Sequence, residues 1–124
     1  MKNVVTSKAP AAIGPYSQGI DIGNLVFTSG QLPLNMDTGE METEIKAATK
    51  ASLSNVKAIL AEAGLTMDNV IKTTVFISDM NNFGAMNEVY ATFFGETAPA
   101  RSCVEVARLP KDVLVEIEAV AVRK

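Results

Sequence analysis

The amino-acid sequence predicts an α+β domain in which one β-sheet is covered on one face by two helices. Six short segments have the composition and alternation of strands, and two longer segments have a helical period. They follow one another in the order β-β-β-α-β-α-β-β, which is typical of α+β architectures. The 124 residues contain no repeat, low-complexity tract or linker, which indicates a single domain spanning residues 1–124.

The first three predicted strands are residues 2–6, 19–22 and 25–29. Residues 7–18 contain prolines and a glycine, which favours a loop between the first two strands. Gly23 and Asn24 separate the second strand from the third and predict a tight turn. A second loop is expected for residues 31–41, which contain a proline and an Asp-Thr-Gly sequence.

Both helices are predicted from apolar residues that recur at helical spacing. The clearer one covers residues 42–63, and Gly64 provides a natural stop directly after it. The other covers residues 82–94 and is closed by Gly95. Its apolar stripe consists of Phe83, Met86, Tyr90 and Phe94.

The last three predicted strands are residues 70–78, 101–107 and 113–122, and residues 109–112 join the final two. In the last strand every odd position is apolar, while the even positions combine Glu116 and Glu118 with apolar side chains. Two helices cover only one face of a sheet, so a second, largely apolar face is left over. Soluble monomers rarely expose such a surface. We therefore expect an oligomer whose subunits bury these faces.

Composition restricts the chemistry and the location of the protein. The chain has no His, a single Cys and a formal net charge of −3. This charge gives no support for binding a phosphate backbone or an anionic membrane, and one Cys without His cannot form a structural zinc site. The N-terminus lacks the apolar stretch of a signal peptide, and no apolar run approaches the ~20 residues that span a bilayer. We expect a soluble cytoplasmic protein with no bound metal.

The predicted strand 101–107 carries Arg101, Cys103 and Glu105 on one face. A strand face with charged residues does not suit a hydrophobic core. It does suit a site for a small carboxylate, because a guanidinium group binds a carboxylate through two parallel hydrogen bonds. The alternative is that Arg101 forms a structural ion pair with Glu105, Glu116 or Glu118. The sequence leaves both open.

The other candidates also have two interpretations each. Cys103 is either a nucleophile, without a His to activate it, or a small residue in a pocket wall. Glu116 shares a strand face with Glu118, and it is either a general base that holds a water molecule or one half of an ion pair across a subunit interface. Tyr16 presents a hydroxyl from a loop and either covers a pocket or packs. Ser29 and Gly30 end a strand with small residues, which allows backbone N–H groups to approach a ligand or simply forms a bend.

Several segments together resemble the Rid family of imine deaminases, and the resemblance covers essentially the whole chain. The segments that carry it are residues 12–18, 27–31, 54–57, 72–76, 99–106 and 117–121. The resemblance implies a chorismate-mutase-like mixed sheet backed by two helices. It also implies a homotrimer with three ligand clefts between subunits.

The function implied by this resemblance is hydrolysis of reactive 2-imino acids, or their enamine tautomers, to 2-keto acids and ammonia, with no cofactor. The carboxylate-binding arginine of the family falls on Arg101, and the glutamate linked to the hydrolytic water falls on Glu116. The remaining family positions fall on Cys103, Tyr16, Ser29, Gly30 and Asn87. An imine is already a good electrophile, so a fixed carboxylate and one positioned water provide much of the rate gain without a covalent nucleophile.

One segment departs from the family pattern. Many relatives have a longer connection before the Pro-Ala-Arg motif, often with an aromatic residue beside the proline, whereas this chain has the short connection 95–98 with Ala98 in that place. The side-chain preference of the cleft is therefore left open. Two other functions also stay open: a non-catalytic module that binds 2-keto acids or similar small carboxylates, and an endoribonuclease, which the acidic charge and the absence of His disfavour.

Overall fold

A computed structural model of residues 1–124 contains a six-stranded sheet, a separate two-stranded hairpin and two α-helices. In the main sheet the order is β1-β2-β3-β8-β6-β7, and only the pairing of β6 with β7 is parallel. This mixed sheet with two helices confirms the predicted α+β class. The elements are β1 (Lys2–Val4), β2 (Gly19–Asp21), β3 (Leu25–Thr28), β4 (Leu34–Asn35), β5 (Glu40–Met41), α1 (Ile45–Glu62), β6 (Val70–Ile77), α2 (Phe83–Ala91), β7 (Ala100–Glu105) and β8 (Val115–Val122).

Helix α1 begins three residues later than the predicted start at residue 42. The Glu44 side chain caps it by accepting hydrogen bonds from the backbone N–H groups of Lys46 and Ala47. Residues before Glu44 are therefore outside the helix, since a cap residue has extended backbone angles. At the other end, Gly64 adopts a φ of +80°, as the predicted stop requires.

Helix α2 is shorter than predicted and ends at Ala91 instead of residue 94. The Thr92 hydroxyl donates to the Val89 carbonyl oxygen at 2.6 Å, which satisfies a carbonyl group that a further helical turn would have used. Residues 92–99 then lead as a turn and loop into β7. Gly95 consequently lies in this connection and does not close the helix.

The predicted loop 31–41 contains the small hairpin β4–β5, which the sequence did not reveal. Its position depends on Asn55 of α1, whose side-chain amide donates to the carbonyl oxygens of Leu32 and Leu34 at 3.1 and 3.0 Å. The predicted turn at Gly23 is confirmed, because Ile22 N–H donates to Leu25 across it at 2.9 Å and Gly23 has a φ of +102°.

The hydrophobic core lies between the two helices and one face of the sheet, which we call the helix face. Strand β8 contributes its odd-numbered residues, Val115, Ile117, Ala119 and Ala121, all of which are buried. The strand alternation predicted from sequence is therefore confirmed. Neither helix is long and apolar enough to cross a membrane.

The opposite face of the sheet, which we call the open face, has no helix on it. Its apolar side chains are partly or largely exposed, with Phe27 at 41% and Val104 at 44% of their full accessibility. By strand alternation and register, it includes Leu25, Phe27, Lys72, Thr74, Phe76, Ser102, Val104, Glu116, Glu118, Val120 and Val122. One chain therefore leaves a sheet face of mixed apolar, polar and charged side chains in contact with solvent.

Candidate active site

Arg101 lies on β7 at the edge of the sheet, opposite Thr73 of β6, and its side chain is directed to the helix face. The guanidinium carbon lies 4.8 Å from the centroid of the Tyr90 ring and 5.4 Å from that of Phe83. Its Nη1 donates to Asn87 Oδ1 at 2.7 Å. The two rings and the amide oxygen hold the guanidinium in place before any ligand binds. Little side-chain entropy is therefore lost when it binds an anion.

The guanidinium has no carboxylate partner within the chain. The structure has three ion pairs, and none of them includes Arg101. Glu105, at the exposed end of β7, accepts a hydrogen bond from the backbone N–H of Met80 at 2.8 Å. Glu116 and Glu118 lie on the open face, so the ion pairs considered from the sequence do not form in one chain. Arg101 therefore keeps unused N–H donors for an anion.

The aromatic support beneath Arg101 was not identified from the sequence as part of a site. The Tyr90 hydroxyl and Thr73 Oγ1 are 2.7 Å apart and form a buried hydrogen bond that fixes the ring. Burial is the main cause that raises the pKa of Tyr90, so the phenol stays protonated at neutral pH. Phe83, Asn87 and Tyr90 are spaced at i, i+4 and i+7, and such positions share one helix face. This spacing could have indicated from the sequence that the three side chains lie together.

Cys103 lies two residues beyond Arg101 on the same helix face, half-buried against the core. Burial raises the pKa of this thiol, and the positive charge of Arg101 lowers it by a smaller amount. A thiol that is protonated at neutral pH is a poor nucleophile. The surroundings of Cys103 therefore favour its interpretation as a small side chain in a pocket wall over that as a nucleophile.

Glu116 lies on the open face of β8, close to the end of β3. Burial, and then the negative charge of Glu118, raise the pKa of this carboxyl group. Gly30 lies directly against it: a Cβ atom added to Gly30 would be 2.0 Å from Glu116 Oε2. Only glycine at residue 30 therefore leaves room for this carboxylate.

The segment around Gly30 is held by hydrogen bonds on both sides. Ser29 N–H donates to Gln18 at 2.9 Å, its hydroxyl donates to the Ser17 carbonyl oxygen at 2.5 Å, and Gln31 exchanges two backbone hydrogen bonds with Ile117. The Gly30 N–H donates no hydrogen bond within the chain. A free backbone donor thus lies beside the Glu116 carboxylate.

Tyr16 is connected to this segment through its neighbour Ser17, which bonds Ser29. The loop that carries it is anchored by Gln18, whose buried side chain makes hydrogen bonds to the backbone of Thr6, Ala9 and Pro10. The Tyr16 side chain itself remains 52% exposed. It presents its hydroxyl at the surface without an intrachain partner.

The residues predicted to form one site fall into two groups in the chain. The arginine group, on the helix face at the β7 edge, consists of Arg101, Cys103 and Asn87 together with Phe83, Tyr90 and Thr73. The glutamate group, at the open face and the end of β3, consists of Glu116, Gly30 and Ser29, and Tyr16 is carried by the loop whose Ser17 bonds Ser29. The sheet separates the two groups, so one chain does not bring them together.

One cavity lies away from both groups. It has a volume of about 780 Å³ and lies beside β1, next to Asp21, Glu62 and Arg123. The guanidinium of Arg123 in this cavity already donates to Asp21 at 2.6 Å and to the carbonyl oxygens of Gly23 and Ala63, so it is not free to bind a ligand. We therefore assign this region a structural role. No group of three or more His, Cys, Asp or Glu side chains is arranged to hold a metal ion.

Comparison with known proteins identifies relatives along the whole chain. The family model described as endoribonuclease L-PSP matches residues 6–123. The 2-iminobutanoate/2-iminopropanoate deaminase of Escherichia coli (strain K12) is 56% identical over 126 residues, covering 99% of this chain and 98% of the relative. A RutC family protein of Haemophilus influenzae is 61% identical, covering 96% of this chain and 95% of the relative.

Solved structures are similar in fold as well as in sequence. The crystal structure of E. coli TdcF with bound serine has a TM-score of 0.96 and 55% identity, and each chain is covered completely. The YjgF gene product from E. coli has the same TM-score, identity and coverage. These similarities extend over the strands and helices that carry both residue groups.

Proposed function

This chain belongs to the endoribonuclease L-PSP family, and from that membership and the position of Arg101 we propose that it hydrolyses reactive 2-imino acids to 2-keto acids and ammonia. Its 56% identity to a 2-iminobutanoate/2-iminopropanoate deaminase over nearly the full length supports this assignment. The net reaction adds one water molecule, breaks the C–N bond and forms a C=O bond. No redox step occurs, so the reaction has no need of an electron acceptor.

The observation that carries the proposal is the half-buried guanidinium of Arg101 with no anionic partner. A paired arginine at this position would have a structural explanation, but this one is held in place by Asn87, Tyr90 and Phe83 with donors to spare. A 2-imino acid carries a carboxylate next to the reacting carbon. Binding that carboxylate at Arg101 places the imine carbon within a few ångströms of the guanidinium.

We propose that the complete site forms between subunits of a homotrimer. Arg101 and Glu116 lie on opposite faces of the sheet, and the open face exposes Phe27 and Val104. Packing open faces together buries these side chains and allows the glutamate group of one copy to approach the arginine group of another. Light scattering is expected to give a mass about three times the 13.2 kDa of one chain. A stable monomer at micromolar concentration would exclude this arrangement.

In this arrangement Glu116 holds the attacking water and accepts its proton as the oxygen bonds to the imine carbon. That proton goes to the nitrogen and leaves a carbinolamine with a hydroxyl and an amino group on carbon 2. The hydroxyl then gives up its own proton, through the same carboxylate, to the nitrogen, so that the C=O bond forms as the C–N bond breaks and ammonia leaves. A carboxyl group whose pKa is raised by burial is suited to this role, because it exchanges protons closer to neutral pH than an exposed one. The free N–H of Gly30 lies beside this carboxylate and supplies a donor for the water or the developing oxygen anion.

A non-catalytic module that captures 2-keto acids or related carboxylates is the second candidate. The relative TdcF has been crystallised with serine, a small molecule that carries a carboxylate. Binding requires Arg101 alone, whereas hydrolysis also requires the Glu116 carboxylate. Glu116→Gln therefore separates the two functions: turnover is lost in an enzyme, while keto-acid affinity is retained in both.

The test is to generate 2-iminobutanoate with a threonine dehydratase and follow the appearance of 2-oxobutanoate with and without this protein. Arg101→Ala is expected to abolish the acceleration and to weaken keto-acid binding more than tenfold, because two charge-assisted hydrogen bonds are lost. Arg101→Lys should rescue poorly, since an ammonium group cannot reproduce the two-pronged contact. Arg108→Ala, at an exposed arginine paired with Asp112, is the matched control and should be active.

Two results would contradict the proposal. Near-parent turnover by Arg101→Ala would place the site elsewhere. Loss of activity through dissociation of the oligomer would instead make Arg101 an interface residue, so the mass of each variant has to be measured at the assay concentration.

A further inference from the structure

A groove extends from Arg101 along helix α2. One wall is formed by Asn87, Ala91 and Phe94, and the other by the connection that leads through Ala98 and Pro99 into β7. Tyr90 also contributes to its lining, and Arg101 closes one side. The groove has a volume of about 490 Å³ and belongs to the same surface as the guanidinium. Such a volume is within the range of small-molecule sites.

Small residues keep this groove open. Ala91 is the last residue of α2, and Ala98 belongs to the short connection before β7; both are exposed. Neither side chain extends beyond Cβ, so the space between the helix and the connection is not filled from within the chain. A larger residue at either position would occupy the groove directly beside Arg101.

The lining determines what kind of group fits. Apart from Arg101, no charged residue lines the groove, and the Asn87 oxygen is already used by the guanidinium. Glu88, the carboxylate on the neighbouring helix position, is paired with Lys46 at 2.7 Å and is not in the lining. The walls therefore suit an apolar group attached to a carboxylate.

We propose that this groove is the side-chain subsite of the enzyme, and that it selects 2-imino acids with branched or extended apolar side chains over those with a methyl group. This inference depends on the proposed function for its substrate class. Carbon 2 of a 2-imino acid carries both the carboxylate and the side chain, so a carboxylate on Arg101 directs the side chain into the adjacent groove. Ala91 and Ala98 set its size and are the specificity-determining residues.

The magnitude follows from the transfer of methylene groups out of water. Each fully buried methylene is worth about fourfold in affinity. A leucine-derived side chain has three more carbons than a methyl group and is only partly enclosed by an open groove. We therefore expect kcat/KM to be about tenfold higher for the leucine-derived imine than for 2-iminopropanoate.

The experiment generates both imines in situ from leucine and alanine with an amino-acid oxidase, in the presence of catalase, and compares kcat/KM. Ala91→Leu and Ala98→Leu fill the groove from opposite walls. Each is expected to lower the value for the leucine-derived imine about tenfold while changing that for 2-iminopropanoate less than twofold. Ala61→Leu, at an exposed alanine near the end of α1, is the matched control and should change neither.

The outcomes separate this inference from the proposed function. The subsite proposal is wrong, and the deaminase proposal is retained, in either of two cases. In the first, the parent hydrolyses 2-iminopropanoate but shows no preference between the imines. In the second, Ala91→Leu and Ala98→Leu lower kcat/KM equally for both imines. If the parent hydrolyses no imine, the deaminase is wrong, and calorimetry with pyruvate and 4-methyl-2-oxopentanoate decides the subsite. Tighter binding of the longer acid that is lost in Ala91→Leu supports it, and equal binding of both acids overturns it.

Discussion

Replacing Gly30 with alanine tests the position of Glu116 without touching its chemistry. The added Cβ would lie 2.0 Å from Glu116 Oε2 and 2.8 Å from its carboxyl carbon. Carbon and oxygen atoms in contact are normally about 3.3–3.6 Å apart, so the carboxylate has to retreat by more than 1 Å. Gly30 does not have a positive φ, so alanine introduces no backbone strain there.

This displacement should lower kcat/KM strongly and change the melting temperature little. The clashing atoms are at the end of a flexible, half-buried side chain, which can rotate away from Gly30 toward solvent. A misplacement of about 1 Å in a catalytic group lowers the rate by roughly 100-fold. We therefore expect Gly30→Ala to lower kcat/KM for 2-iminobutanoate about 100-fold, with a melting temperature close to that of the parent.

Gly84→Ala is the matched control for this substitution. Gly84 is in the first turn of α2, and a Cβ added there meets no atom within 4 Å. Alanine in a helix is more stable than glycine by about 0.5–1 kcal/mol, so this variant should be fully active and slightly more stable. The reasoning is refuted if Gly30→Ala retains activity within threefold of the parent while a crystal structure shows the alanine in place.

Three further predictions concern neighbouring residues. Glu118→Gln removes a negative charge that raises the Glu116 pKa, so the acid limb of the kcat/KM profile should move to lower pH. The sign follows because the active form is the carboxylate, and activity is lost as pH falls through its pKa. Cys103→Ala should retain most of the turnover, because burial raises the pKa of the thiol and water attacks the imine directly. Gln18→Ala should lower the free energy of unfolding by about 2–4 kcal/mol in urea titrations, since it removes several buried hydrogen bonds to the Thr6–Pro10 backbone.

Each of these has a result that would count against it. An acid limb that stays in place or moves to higher pH in Glu118→Gln would show that another group controls it. Complete inactivity of Cys103→Ala in a normally assembled protein would give the thiol a direct role. Parent-like stability of Gln18→Ala would mean that water replaces the lost hydrogen bonds, and that the loop carrying Tyr16 is held by other contacts.

Much of the fold was predictable because its determinants are local. The alternation in β8 identifies the buried odd positions, the helical period identifies α1, and Gly64 and Gly23 mark backbone positions that favour glycine. The hairpin β4–β5 was missed because its strands have two residues each. It is positioned by the side chain of Asn55, which lies more than 20 residues away along the chain.

For the site, the sequence by itself determined which residue types are available: an arginine at the start of a strand, a carboxylate on a partly apolar strand, and a glycine where another strand ends. Only the tertiary structure decided what Arg101 contacts. Its partners are an amide and two rings of α2, and the candidate carboxylates Glu116 and Glu118 lie across the sheet. The physical reason is that alternation along one strand is a local property, whereas the order and register of strands are set by pairings between distant segments.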